Sequence, residues 1–167
     1  MTRSIGRRAG VVAALAALAT TTCTVLAAPA GAAGKNACKV LKRSEIQQAF
    51  GGTVTSGRQG IGTPVSAQCE FQVSAYGDRP AGTVTVHVLT KGGKAADARL
   101  EKTGQYAPLD GVASSLYAEN SHVVDVLQGD VLLGVQGGFV ITDPLPIHFY
   151  DDKTPLTGLA RIGAKRV

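Results

Sequence analysis

The stretch HVVDVLQGDVLLGVQ, residues 122–136, decides the fold because it carries the pattern of a β-hairpin. Two apolar runs meet at Gln128-Gly129-Asp130, and glycine beside a polar residue is typical of a hairpin turn. Successive strand side chains point to opposite faces, so either turn register gives one wholly apolar face: Val124, Val126, Val131, Leu133 and Val135. The other face carries Asp125, Gly134 and Gln136. The stretch therefore predicts two antiparallel strands with one face on the core.

Further strands are predicted upstream by the same alternation. AQCEFQV, residues 67–73, places Cys69, Phe71 and Val73 on one face and polar side chains on the other. GTVTVHVLT, residues 82–90, carries three valines on one face. A shorter strand is expected around Leu116 to Glu119. These patterns are typical of half-buried strands.

Three helices are predicted around the strands. The first begins at Ser44, with Ser44 and Gln47 forming a capping box, and it stops at Gly51, since glycine readily adopts the left-handed conformation. The second is GGKAADARLEK, residues 92–102. The third opens at Thr154-Pro155, with Thr154 as the N-cap and Pro155 as the first helical residue.

The N-terminus has the pattern of a secretory signal peptide, residues 1–33, which leaves one domain over residues 34–167. Positive residues are followed by an uncharged run, Val11 to Ala28, and by small residues suited to cleavage. The alternative is an uncleaved membrane anchor, which the small-residue cleavage region disfavours. Removing Arg3, Arg7 and Arg8, with no acidic residue, lowers the net charge from +5 to +2. A charge of +2 gives no reason to expect nucleic-acid binding.

Cysteine usage indicates an oxidising compartment. Cys23 lies in the predicted signal peptide, so Cys38 and Cys69 are the cysteines of the mature domain. Two cysteines in an exported chain are most simply interpreted as one disulfide. A zinc site would need further ligands, and a redox motif would need Cys-x-x-Cys spacing.

The element order is helix, strands, helix, strands, helix. No sustained alternation of strand and crossover helix is present, which argues against a parallel sheet. We therefore predict an α+β fold with an antiparallel sheet of about five to six strands, helices packed mainly on one face, and one disulfide.

The start of the domain combines a Cys-x-x-Leu-x-x-x-Glu-Ile entry with a later cysteine set two residues before an aromatic. The residues concerned are Cys38, Leu41, Glu45, Ile46, Phe50, Gly51, Cys69 and Phe71. In these positions the chain resembles a class of actinobacterial secreted proteins and lipoproteins of unknown function, whose entry has the form Cys-x-x-Leu-Thr-x-x-Glu-Ile/Val. Lys42 departs from the pattern, which has threonine there. The resemblance implies an envelope or extracellular domain, and it carries over no catalytic residue.

The sequence contains no recognisable catalytic or cofactor motif. Nucleophile-elbow, His-Glu-x-x-His and phosphate-loop patterns are absent from the sequence, and its scattered carboxylates select no pair. His122 and Asp125 would point to opposite faces of a strand. A metal site at His148, Asp151 and Asp152 is the weaker interpretation, because adjacent acids before a helix more often favour its N-terminal dipole. We predict no catalytic residue, no metal and no cofactor.

The segment GGFVITDPLPIHFYDDK, residues 137–153, has two interpretations. Pro144 and Pro146 argue against a central strand, so its apolar residues would cover the core as an edge strand and loop. Alternatively the apolar residues form an exposed interaction segment: Phe139, Ile141, Leu145, Ile147, Phe149 and Tyr150.

These observations favour a secreted, non-enzymatic binding or interaction module of the cell envelope or extracellular medium. Its expected partner is an unknown protein or a small apolar ligand, without nucleic acid and without a stable membrane anchor after signal cleavage. The alternatives are a secreted protease inhibitor presenting Asp143 to Phe149 and, less favoured, a hydrolase.

Overall fold

The sheet is organised around two long central strands, β3 (Gly82–Leu89) and β7 (Val131–Ile141), which pair antiparallel from Gly82↔Phe139 to Leu89↔Leu132. A computed structural model describes residues 36–141 and 148–167, without the side chains of residues 148 and 149. The predicted signal peptide, residues 1–33, lies outside the described residues.

The remaining strands flank this central pair. Together with the described helices, the sheet forms a mixed α+β fold. They are β1 (Arg58–Gln59), β2 (Ser66–Val73), β4 (Ala107–Pro108), β5 (Ser115–Ala118), β6 (Val123–Gln128) and β8 (His148–Phe149). Their order is β1-β2-β3-β7-β6-β5-β4, and every pairing is antiparallel. β8 pairs with the end of β7. The predicted fold class is confirmed, with slightly more strands than expected.

The sequence allows a two-residue turn at Gln128-Gly129 or at Gly129-Asp130. The hairpin of β6 and β7 has the second, since Gln128 pairs with Val131. Its apolar face lies on the core: Val124, Val126, Leu133 and Val135 are at most 1 % exposed. The three valines of β3 and the inward residues of β2 continue the same buried face.

Two of the three described helices cover that face. α1 (Arg43–Phe50) buries Ile46 and Phe50, and α3 (Lys153–Ala164) buries a stripe that includes Leu156 and Leu159. Both stripes belong to the same hydrophobic core as the valines of the sheet. α2 (Gly93–Lys102) packs instead on the other side of β6 and β7.

The predicted disulfide is confirmed. Cys38, in a 3-10 turn at Ala37–Lys39, is bonded to Cys69 of β2, with Cα atoms 5.0 Å apart. Closing a loop of this size is worth about 3–4 kcal/mol in the chain-entropy description. The disulfide therefore fixes the start of the domain to the sheet.

Two predicted helix starts were wrong. α1 begins at Arg43 with Lys42 as N-cap, because the Glu45 carboxylate accepts a hydrogen bond from the Lys42 backbone N–H at 2.7 Å. α3 begins at Lys153 with Asp152 as N-cap. Pro155 then falls in the first turn, where a missing N–H costs little. The stop at Gly51 is confirmed, with φ of 69°.

The prediction that residues 137–153 hold no central-strand segment was wrong for their first part. β7 continues through Gly137 and Gly138 to Ile141, and Gly137 to Phe139 pair with β3. Nothing in this part interrupts the ladder, because the first proline comes only at Pro144.

Candidate binding cleft at the edge of the sheet

A cleft of about 580 Å³ lies where β4 begins and β5 ends, beside the start of α3. The cleft is lined by Gly104, Gln105, Tyr106, Ala107, Tyr117, Glu119, Asn120, Asp151 and Lys153. The volume falls within the range of about 300–1,000 Å³ that is common for small-ligand sites. Its walls are mostly polar and charged.

Three separate chain segments bring the side chains of the cleft together. Tyr106 follows α2 and precedes β4, and Tyr117 lies in β5 directly opposite Ala107. Glu119 belongs to the 3-10 turn Glu119–Ser121 that leads into β6. Asp151 and Lys153 come from the start of α3. The cleft therefore depends on the pairing of β4 with β5 and on the docking of α3.

Tyr117 forms the floor of the cleft and is 8 % exposed. Burial, and then the negative charges of Asp152, Asp151 and Glu119, raise the pKa of Tyr117 to about 12. Its hydroxyl therefore stays protonated at ordinary pH. Above its ring, the Lys153 Nζ lies 5.0 Å from the ring centroid. This is the geometry of a cation–π contact.

Tyr106 connects the cleft to a pair of carboxylates, which we call the acid pair: Asp97 of α2 and Asp125 of β6. Asp125 is 6 % exposed, and burial followed by the charge of Asp97 raises the pKa of Asp125 to about 7. Burial and the Glu101 charge also raise the pKa of Asp97. Burial and the Asp125 charge raise the pKa of the Tyr106 hydroxyl, which also hydrogen-bonds to Ser121. The acid pair is therefore electrostatically coupled to one wall of the cleft.

On the core side of the sheet, His122 and Asp152 form a buried His–Asp pair. The His122 Nδ1 lies 2.7 Å from the Asp152 Oδ1, and Asp152 is 1 % exposed. His122 has left-handed backbone angles, φ 50° and ψ 50°, which are uncommon for a residue other than glycine. Burial raises the pKa of Asp152 despite its contact with His122. The pair joins the turn before β6 to the N-terminus of α3.

Neither ionisable pair lines the cleft. The lining side chains that carry charge are Glu119, Asp151 and Lys153. These groups and the two tyrosines suit hydrogen bonding and charge recognition of a polar ligand. Within the described part of the chain, no group of three or more His, Cys, Asp or Glu side chains is arranged to hold a metal ion.

The residues of the predicted interaction segment are divided between the core and partly exposed positions. Phe139 is fully buried, with its ring centroid 4.7 Å from that of Phe50, so it belongs to the core and not to an exposed surface. Ile141 and Tyr150 are half-buried, and Tyr150 packs against the core. The other members lie outside what the structure describes: Leu145, Ile147 and the side chain of Phe149. The side chain of His148, from the disfavoured metal site, also lies outside it.

The cleft and the two ionisable pairs were missed from the sequence. Asp125 was placed correctly on the face away from the core, but no spacing relates it to Asp97 on α2. His122 was compared only with Asp125, whereas its partner Asp152 lies 30 residues away. Such contacts depend on tertiary packing, for which the sequence pattern carries no signal.

A buried arginine was also missed. Arg79 is 3 % exposed, and its guanidinium donates to three backbone carbonyls, those of Phe50, Ser74 and Pro80. It also lies over the Phe139 ring, 4.7 Å from the centroid. Burial lowers its pKa. Arg79 therefore closes the C-terminal end of α1 and is part of the frame.

Comparison of the chain with protein-family models, curated proteins and solved structures found no match. Among residues 36–141 and 148–167, no helix is both long and apolar enough to cross a membrane.

Proposed function

We propose that this protein is an exported, non-enzymatic binding module of the cell envelope or extracellular medium, and that the cleft is its ligand site. The observation that carries the proposal is the convergence of two tyrosines and three charged side chains in a cleft of about 580 Å³. Tyrosine suits recognition because it offers a large apolar face and a polar tip at a low cost in conformational entropy.

The position of the two ionisable pairs argues against their acting as a catalytic acid and base at the cleft. A hydrolase would need its acid and base within reach of a bound substrate. The acid pair and the His–Asp pair are buried or half-buried and do not line the cleft. Tyr117, which does line it, has a pKa of about 12, so its hydroxyl stays protonated and cannot accept a proton near neutral pH.

Export is supported by the signal-peptide pattern, by the Cys38–Cys69 disulfide and by the resemblance to actinobacterial secreted proteins. Mass spectrometry of culture medium under non-reducing conditions tests it. We expect a mature N-terminus near Gly34 and a mass two hydrogen atoms below that of the reduced chain. Retention of the full-length chain inside cells, with free thiols, would contradict export.

Ligand binding is tested with amide NMR of the mature protein and a library of small neutral, anionic and cationic fragments. We expect the shifted amides to cluster at Tyr106, Tyr117 and Glu119, and the fragment signals to persist unchanged because no reaction occurs. Tyr106→Ala should remove the response, whereas Tyr76→Ala, at a tyrosine outside the cleft that is 63 % exposed, should preserve it. Shifts scattered over other surfaces would contradict the proposed site, and conversion of a fragment would contradict the non-enzymatic role.

The protease-inhibitor alternative stays a prediction. The loop proposed for it, Asp143 to Phe149, lies almost wholly outside the described residues.

A further inference from the structure

The cleft already holds one ammonium group on an aromatic face. Lys153 is the first residue of α3, and its Nζ lies 5.0 Å from the centroid of the Tyr117 ring. An ammonium over a tyrosine ring is attracted by the negative face of the π-system. The Lys153 side chain is exposed, so it can leave the ring without unfolding the helix.

Two carboxylates, those of Glu119 and Asp151, line the same cleft as the Lys153 ammonium. Burial is the largest cause of the raised pKa of Tyr117, and the charges of Asp152, Asp151 and Glu119 raise it further. The contribution of these charges indicates a negative potential at this wall of the cleft, which also attracts an external cation. Among the described residues that line the cleft, Lys153 is the one with a cationic side chain, and it already contacts the ring.

We propose that the cleft binds a ligand carrying a primary ammonium group, which takes the place of the Lys153 ammonium on the Tyr117 ring and is held by Glu119 and Asp151. This inference rests on the proposed function and names the ligand class of the same site. Lys153 then acts as an internal competitor for the site.

An anionic ligand is disfavoured by the same contacts. It would face the Glu119 and Asp151 carboxylates, and like charges close together cost binding energy. The start of α3 offers little compensation, because the Asp151 carboxylate already lies 3.4 Å from the Lys153 backbone N–H. A neutral ligand would displace the Lys153 ammonium from the ring and supply no charge in return.

Three probes with the same capped backbone and different side-chain charge separate these cases. N-acetyl-lysine methylamide carries the ammonium, N-acetyl-norleucine methylamide is its neutral counterpart, and N-acetyl-glutamate methylamide is anionic. Amide NMR titrations of the mature protein should show the lysine probe shifting Tyr117, Glu119 and Asp151, with weaker or undetectable effects of the other two. Affinity for the lysine probe should fall as salt is added, since the contacts are exposed.

Charge variants give the decisive contrast. Lys153→Met should raise the affinity for the lysine probe about two- to fivefold, and Glu119→Gln should lower it by a similar factor, the size of one exposed charge contact. The matched controls are Lys165→Met, at an exposed lysine just after α3, and Glu70→Gln, at a strand position outside the cleft. We expect both controls to bind as the unmodified protein does.

Each of the remaining experimental outcomes would overturn a specific part of the proposal. Binding of the neutral or anionic probe at the cleft, with no preference for the lysine probe, would overturn the ammonium inference and leave the binding site standing. A loss of affinity for the lysine probe in Lys153→Met would overturn the competitor role. Failure of all three probes and of every library fragment to shift the cleft would overturn the proposed function together with this inference.

Discussion

Glu45 and Arg166 join the first helix to the residues that follow the last one. The Arg166 Nη1 donates to the Glu45 Oε2 at 2.8 Å, and its Nη2 donates to the Glu45 Oε1 at 2.5 Å. The Nη1 also donates to the Val40 carbonyl at 2.7 Å. The arginine therefore links the residues that follow α3 to α1 and to the turn before it.

Glu45→Gln should lower the free energy of unfolding by about 1–2 kcal/mol at pH 7, since the pair is bidentate but partly exposed. The hydrogen bonds from Arg166 hold the pKa of Glu45 at about 2, below its ordinary value of 4.5. A lowered pKa in the folded state stabilises the fold above about pH 4.5, and this gain is lost as the pH falls toward about 2. Urea denaturation at several pH values measures both effects.

The control for this prediction is a double-mutant cycle with Arg166→Met. If the ion pair causes the effect, the loss in the double variant should be clearly smaller than the sum of the single losses. Additive losses would contradict it.

Asp125→Asn should make the protein more stable at pH 8, by about 2–4 kcal/mol, because about 1.4 kcal/mol corresponds to each unit of pKa shift. Burial, with the nearby charge of Asp97, raises the pKa of Asp125 to about 7, from an ordinary value of 3.8. A raised pKa means that the folded state keeps a proton that the unfolded chain has lost. The native protein should therefore lose stability as the pH rises from about 4 to about 7.

Comparing the variant with the native protein by urea denaturation across this range isolates the contribution of Asp125. The variant should lack this fall in stability, and Asp78→Asn, at an exposed position, should leave the native profile unchanged. If the unfolding free energies of Asp125→Asn and the native protein changed in parallel with pH, the pKa of Asp125 would not be raised in the folded state.

Arg79→Met should lower the free energy of unfolding by about 2–4 kcal/mol. The substitution leaves the carbonyls of Phe50, Ser74 and Pro80 without the donors that they have in the structure. Arg79→Lys should recover only part of the loss, because one ammonium cannot reproduce the planar guanidinium. Thermal unfolding followed by circular dichroism measures this, with Arg58→Met, an exposed arginine of β1, as the matched control. A loss within 0.5 kcal/mol of the control, about the size expected of surface changes, would exclude a structural role for Arg79.

Two glycines of α3 should respond oppositely to replacement by alanine. Gly158→Ala should stabilise the protein by about 0.5–1 kcal/mol, because an added Cβ meets nothing within 4 Å and alanine favours the helix. Gly163→Ala should destabilise it by about 1 kcal/mol, because the Cβ would lie 2.7 Å from the Leu133 Cδ2. Paired urea denaturation curves check the difference, and an equal gain at both positions would show that α3 does not pack closely on β7 at Gly163.

The elements that the sequence predicted well are those with local patterns. Alternation along β2, β3 and the β6–β7 hairpin identifies the buried face without any knowledge of partners, because the period of a strand is set by its backbone. Gly51 likewise marks the end of α1 through its own conformational freedom. The disulfide could be predicted because only two cysteines follow the predicted signal peptide.

Helix starts and the binding cleft could not be predicted in this way. A lysine is not a typical N-cap, and α1 begins after Lys42 because Glu45 supplies the hydrogen bond. Asp152 seemed suited to the dipole of α3, yet its carboxylate contacts His122. Tyr106, Tyr117 and Lys153 come together only after β4 pairs with β5 and α3 docks. These contacts are decided by tertiary structure, which local propensity does not encode.

The pairing of β3 with β7 has a consequence for how fast the chain can fold. β1, β2 and β3 form one meander between neighbours in sequence, and β4 to β7 form another. Val86 must nevertheless pair with Val135 across α2 and three intervening strands. Closing so long a loop costs chain entropy before any contact repays it, and such non-local pairing slows folding. We expect the meeting of the two meanders to limit the folding rate more than the formation of either.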